Sequence, residues 1–95
     1  MEQQKTRVLI VDDNGQVRSA LREIFQGQED VSVVGEACDG TQALCMIEQL
    51  SPDVVLLDVV MPKLDGFGVL EKAAGKSGAP AFIMISALVQ EAFVL

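Results

Sequence analysis

Three aspartates follow short apolar runs, and they carry the chemistry that this sequence offers. Asp12 and Asp13 come directly after the run VLIV, and Asp58 comes directly after VVLL. Carboxylates brought close together repel one another and raise one another's pKa, and a bound cation relieves that repulsion. Oxygen ligands without nitrogen or sulfur suit a hard divalent ion, and a partly hydrated site with two or so carboxylates is typical of Mg²⁺. The three aspartates are therefore candidate magnesium ligands.

A carboxylate beside such an ion can act as a nucleophile toward phosphorus. The product is an acyl phosphate, and the ion offsets charge on the transferring group. Asp58 is the candidate nucleophile, and Ser86, after the apolar run AFIMI, is a candidate hydrogen-bond donor to a phosphoryl oxygen. Each feature alone has an ordinary explanation, since acidic pairs are common in turns and helix caps and hydroxyls are common at strand ends. Their combination at the ends of three predicted strands favours a functional site.

The elements that must position these residues form an alternating pattern. Short β-branched runs alternate with longer amphipathic stretches, which is typical of βαβ units in a parallel sheet covered on both faces. Predicted strands are Arg7–Asp12, Val31–Ala37, Val54–Leu57 with Asp58 at its end, and Ala81–Ser86. Predicted helices are Gly15–Gln26, a second that follows Asp39-Gly40 and stops at Ser51-Pro52-Asp53, and a short third with Asp65 as its N-cap.

The strand order decides whether the acids meet. In an open parallel sheet, ligands bind beyond the carboxyl ends of the strands, where the strand order reverses. An order of 2-1-3-4 makes the first and third strands neighbours, so that Asp12, Asp13 and Asp58 converge. We therefore predict a doubly wound α/β fold with one acidic site at this edge.

Composition narrows the class of protein. The chain has 95 residues, of which 49% are hydrophobic, and this size supports one domain. A net charge of −7 without clustered Lys or Arg argues against binding of nucleic acid, and no apolar run approaches a membrane span. Cys38 and Cys45 form no CxxC pattern and are expected to be thiols in a reducing cytoplasm. The absence of histidine excludes Ser-His and Cys-His nucleophiles.

The segments VLIVDDN, DVVLLDVVMPKLDGFGVLE and MISA together resemble the CheY-like receiver domain of two-component response regulators, a flavodoxin-like fold. The resemblance covers nearly the whole chain. It implies Asp58 as the phosphoacceptor, Ser86 as the switch hydroxyl, and Mg²⁺ held by Asp12, Asp13, Asp58 and the backbone carbonyl of Val60, with Met61-Pro62 in the following loop.

The same resemblance implies partners. The phosphoryl donor would be a phosphohistidine on a sensor histidine kinase or a histidine phosphotransfer protein, and a homodimer is compatible with the family. The stretches GQED, PKLDG with VLE, and SALVQE are similar to receivers of the sporulation master transcription factor group. That finer resemblance implies a role in transcription regulation, with DNA contacted through an output domain absent from this chain and no contact with a membrane.

The sequence departs from the family pattern at its carboxyl end. The fifth-strand lysine and the aromatic switch residue are not found, because LVQEAFVL aligns best with the loop and first turns of a fourth helix. A rival alignment places AFVL on the fifth strand. Residues 1–95 are thus expected to be an incomplete receiver without the fifth strand and last helix, with apolar surface exposed at Phe93, Val94 and Leu95. We expect the isolated chain to be poorly stable or to associate.

Two other functions compete with a phosphoacceptor switch. A magnesium-dependent phosphohydrolase would use an aspartyl phosphate too, but such enzymes usually have a second acid two residues after the nucleophile, where this chain has Val60. A receiver that no longer takes phosphate would serve only as an interaction surface. Val60 and Leu88 would flank the path of the hydrolytic water without hydrogen-bonding to it, which predicts a long-lived phosphorylated state.

Overall fold

The structure is a computed structural model that describes residues 4–61, 64–86 and 91–94; for Ser86 and for 91–94 it describes the backbone. The strands are β1 (Thr6–Val11), β2 (Val31–Ala37), β3 (Val54–Asp58), β4 (Ala81–Ser86) and β5 (Glu91–Val94). The helices are α1 (Gly15–Gln26), α2 (Gly40–Leu50) and α3 (Gly66–Ala73).

The strands form one sheet in the order β2-β1-β3-β4-β5. The first four are parallel, so the predicted order 2-1-3-4 is confirmed. In the register between β1 and β3, Val11 pairs with Leu57. The next residues along the two strands, Asp12 and Asp58, therefore reach the same edge of the sheet.

The prediction that LVQEAFVL begins a fourth helix is wrong for Glu91–Val94, which is strand β5 paired antiparallel with β4. The rival alignment agrees with the structure in placing residues 92–94 of AFVL in a fifth strand, although this strand is antiparallel to β4. Four residues separate Ser86 from Glu91, which suffices for a hairpin but not for the crossover that a parallel strand needs. A short helix is also costly to nucleate, whereas pairing satisfies the backbone groups at the edge of β4. Leu88 to Gln90 and Leu95 lie outside the described residues.

Alternate residues of the central strands face opposite sides of the sheet. On one side, Leu9, Val55, Leu57, Phe82 and Met84 are buried under α2 and α3, and Ala43, Val69 and Ala73 come from those helices. On the other side, the buried residues are Val8, Ile10 and Leu56, with Leu21 and Phe25 of α1 partly buried against them. Period-2 alternation in the strands thus produces two unequal cores.

Helix boundaries follow local side-chain chemistry. Asp39 and Asp65 are the N-caps of α2 and α3, and their carboxylates accept the N–H groups of Gln42 and Gly68 at 2.8 and 2.9 Å. The predicted cap at Asp65 is confirmed. Helix α2 ends at Leu50, and its C-cap Ser51 has a left-handed φ of 46°, as expected from the Ser51-Pro52-Asp53 stop. Within the described ranges, none of the helices has the length and apolar character needed to cross a membrane.

Candidate functional site

Asp58 is the last residue of β3, a strand buried on both faces except at its first residue. It is itself only 9% exposed. The chain turns immediately after it, and the N–H of Val60 donates a hydrogen bond to Oδ1 of Asp58 at 3.2 Å. This turn holds the carboxylate at the carboxyl edge of the sheet.

Asp12 and Asp13 follow β1 at the same edge. Asp12 is buried, its N–H donates to the carbonyl of Ala37 in the neighbouring strand segment, and its Oδ1 accepts the N–H of Asn14 at 2.9 Å. Asp13 is exposed. Asn14 in turn is the N-cap of α1, so the start of that helix and the orientation of Asp12 depend on one short turn.

The predicted convergence is present in the structure. One carboxylate oxygen from each of Asp12, Asp13 and Asp58 lies within 4.8 Å of the other two. Two members are buried and one faces solvent. Such a cluster of oxygen ligands with one open side fits a partly hydrated divalent cation.

Burial, together with the smaller effects of the charges of Asp12 and Asp13, raises the pKa of Asp58 to about 6, against the opposing effect of the hydrogen bond from Val60. Burial also raises the pKa of Asp12, and the hydrogen bond from the Asn14 N–H and, to a lesser extent, the Arg18 guanidinium oppose this rise. The carboxylates are therefore under repulsion when they are charged. A cation bound between the carboxylates would offset this electrostatic repulsion.

Arg18 is part of the site's surroundings, and the sequence reasoning missed it. Its Nη1 donates to the carbonyl of Asp12 at 2.7 Å, and its Nε lies 3.4 Å from Glu36. Arg22, one turn later, bonds Glu36 but not Asp12. The signal available in the sequence was a basic residue near the start of the helix that follows the acidic pair.

The remaining predicted residues are placed to different extents. Val60 is 59% exposed, and its backbone N–H bonds to the carboxylate of Asp58. Ser86 ends β4 directly after Ile85, which pairs with Asp58, but its side chain lies outside the described residues. Pro62 and Leu88 also lie outside them, whereas Met61 is buried in the core.

Comparison with known proteins gives the family. Residues 8–95 match the family model described as the response regulator receiver domain. A protein-glutamate methylesterase/protein-glutamine glutaminase of Myxococcus xanthus is 46% identical over 85 residues, covering 90% of this chain and 24% of that protein. The corresponding protein of Ralstonia nicotianae is 45% identical over 89 residues, covering 94% and 23%. The chain thus spans about a quarter of the length of these relatives.

Solved structures of receiver domains are also similar to this chain. The response regulator domain of Thermotoga maritima CheB superposes with a TM-score of 0.84 at 39% identity, covering 93% of this chain and 65% of that one. The signal receiver domain of the response regulator NarL from Mycobacterium tuberculosis gives 0.83 at 37% identity, covering 88% and 68%. None of these proteins supports the finer resemblance to the sporulation regulators, which stays a prediction. The sequence match, the sheet order and the acidic site agree, and the chain belongs to the response regulator receiver domain family, a family of signalling domains.

Proposed function

We propose that this chain accepts a phosphoryl group on Asp58, with Mg²⁺ held by Asp12, Asp13, Asp58 and the backbone carbonyl of Val60. The observation that carries the proposal is the convergence of three carboxylates within 4.8 Å at one edge of the sheet. Oxygen-only ligands, two of them buried, favour Mg²⁺ over softer metals. When bound, the ion offsets the negative charge of the transferring phosphoryl group.

The donor in this proposal is a phosphohistidine on a sensor kinase or phosphotransfer protein. A carboxylate oxygen of Asp58 forms the new bond to phosphorus, the P–N bond breaks, and its electron pair returns to the imidazole nitrogen. The reaction needs Asp58 in its charged form, and a pKa of about 6 leaves most of it charged above pH 7. The hydrogen bond from Val60 orients the nucleophile.

Phosphorylation then acts as a switch. We infer that Ser86 moves toward the phosphoryl group and biases a two-state surface near β4. The backbone position of Ser86 supports this role, because it follows the residue that pairs with Asp58. In this proposal the chain is a phosphoacceptor and not an enzyme.

The output of the whole protein is a separate question. The resemblance to sporulation regulators predicts a DNA-binding output, whereas the curated relatives are protein-glutamate methylesterases. Their identity of 45–46% over about nine-tenths of this chain favours the second class. We therefore propose that the receiver controls a methylesterase-like output, and that a histidine kinase pathway supplies its phosphoryl group. A homodimer of receivers is compatible with either output.

The test uses acetyl phosphate as the donor and intact mass spectrometry as the readout. With Mg²⁺, the chain is expected to gain one phosphoryl group, and Asp58→Asn is expected to gain none. Asp30→Asn, an exposed acid elsewhere on the surface, is the matched control and should behave as the parent. Uptake by Asp58→Asn, or uptake unaffected by chelation of Mg²⁺, would overturn the proposal. Continuous turnover of a generic phosphate ester would favour the phosphohydrolase alternative instead.

A further inference from the structure

Gly66, the first residue of α3, lies directly against the backbone of Asp58. A Cβ added at Gly66 would overlap the carbonyl oxygen of Asp58 and lie 2.9 Å from Cα of Val59 and 3.0 Å from the carbonyl carbon of Asp58. These obstacles are main-chain atoms, which cannot rotate away as the end of a side chain can. An alanine at this position would therefore displace the start of α3 or the acceptor turn.

The same glycine also bonds to that turn. Its N–H donates to the carbonyl of Val59 at 3.0 Å, and the N–H of the following residue, Val60, donates to Oδ1 of Asp58. Gly66 thus contacts the residues on both sides of the peptide that links Asp58 to Val59. The position of Val60, whose carbonyl is a proposed metal ligand, depends on this short run of contacts.

A second glycine approaches the same loop from α2. A Cβ at Gly40 would overlap the carbonyl oxygen of Leu64 and lie 2.8 Å from its carbonyl carbon. Gly40 and Gly66 are both buried. The starts of α2 and α3 therefore both pack against the loop that follows Asp58 at distances that only glycine permits.

We propose that Gly66 is a positioning residue for phosphoryl transfer, because its missing side chain lets α3 hold the turn in which Asp58 and Val60 share the metal. The inference rests on the function proposed above. Replacement of a residue that orients metal ligands typically lowers metal affinity by about 10- to 100-fold. We expect Gly66→Ala to weaken Mg²⁺ binding and slow phosphorylation by at least about tenfold each.

Gly68 supplies a matched control in the same helical turn. A Cβ there would overlap Cδ1 of Leu64, the far end of a flexible side chain, and not the acceptor turn. Glycine to alanine also gains a similar helix propensity at both positions. Calorimetric Mg²⁺ titration and acetyl phosphate kinetics on Gly66→Ala and Gly68→Ala, with melting temperatures for both, separate positioning from stability. Equal Mg²⁺ affinities in two folded variants would overturn the inference.

A measurement on the unmutated chain keeps the inference testable if Gly66→Ala does not fold. In a Mg²⁺ titration followed by amide NMR, the Gly66 signal should move with that of Val60 at the same midpoint and further than that of Gly68, whose N–H bonds Asp65. An unmoved Gly66 signal would contradict the coupling. If the unmutated chain neither binds Mg²⁺ nor takes up a phosphoryl group, the proposed function is wrong. If it does both and the Gly66 amide signal does not move, only this inference is wrong.

Discussion

The backbone N–H of Val60 donates to Oδ1 of Asp58 at 3.2 Å, two residues along a turn that begins where β3 ends. This bond opposes the burial and the neighbouring charges that raise the pKa of Asp58. It also links the proposed nucleophile to the residue whose carbonyl is a proposed metal ligand. The properties of the site follow from this turn and from the acids of β1 beside it.

Stability should depend on the protonation of Asp58. Its pKa is about 6 in the folded chain against an ordinary value of 3.8, so the folded state binds the proton more tightly than the unfolded state. This stabilising contribution is fully present below about pH 4 and is lost as the pH rises through about 6. Without Mg²⁺, we expect Asp58→Asn to be more stable than the parent by roughly 1–3 kcal/mol at pH 7.5 and equal to it near pH 4. Urea unfolding across this range measures the difference, and parallel pH profiles would contradict it.

Magnesium should stabilise the chain through the acidic cluster. At a concentration about a hundredfold above its Kd, a ligand specific to the folded state adds about 2.7 kcal/mol to the free energy of unfolding. We expect this gain at pH 7.5 for the parent and for Asp30→Asn, and a much smaller gain for Asp12→Asn and Asp13→Asn at the same Mg²⁺ concentration. Thermal unfolding with and without chelator is the measurement. The same gain in all four proteins would show that Mg²⁺ binds elsewhere.

Phosphorylated Asp58 should be long-lived because the exposed side chain of Val60 cannot orient a hydrolytic water. Val60→Gln keeps the backbone carbonyl and adds a hydrogen-bonding group, so we expect dephosphorylation to speed up by roughly tenfold. Decay of the phosphorylated protein after removal of the donor gives the rate. Phe67→Gln, which also replaces an exposed apolar side chain, is the control and should leave the rate unchanged. An unaltered rate in Val60→Gln would count against this explanation.

The α1 face of the sheet should promote association. Ile83 and Ile85 of β4 are only partly buried on this face, whereas Phe82 and Met84 on the other face are almost fully buried. We expect the chain to associate as its concentration rises, and Ile83→Thr, which keeps a β-branched side chain, to associate less. Sedimentation velocity over a concentration series measures this. A monomer with a sharp melting transition at every concentration would show the prediction to be wrong.

The strand and helix pattern was readable from the sequence because each element has a strong local signal. The prediction for β4 coincides with the structure, and the predicted α1 and β2 have the observed bounds. The segment at Glu91–Val94 was misread, since a short apolar run has no distinctive period and its structure depends on the free edge of β4. Arg18 and Gly66 were missed, because their roles depend on contacts with backbone atoms. Arg18 bonds the carbonyl of Asp12, and Gly66 packs against the backbone of Asp58 across the intervening loop.

Local features of the sequence suffice to predict a doubly wound α/β chain with acids at strand ends, because hydrophobic alternation and the positions of Asp12, Asp13 and Asp58 can be read along the chain. How closely the acids meet, and how far burial raises the pKa of Asp58, can be seen only in the folded chain. Those quantities depend on the pairing of β1 with β3 and on helices packed over the sheet. The residues of the turn from Asp58 to Val60 can be read in the sequence. The close contact of Gly66 with this turn is seen only in the folded structure.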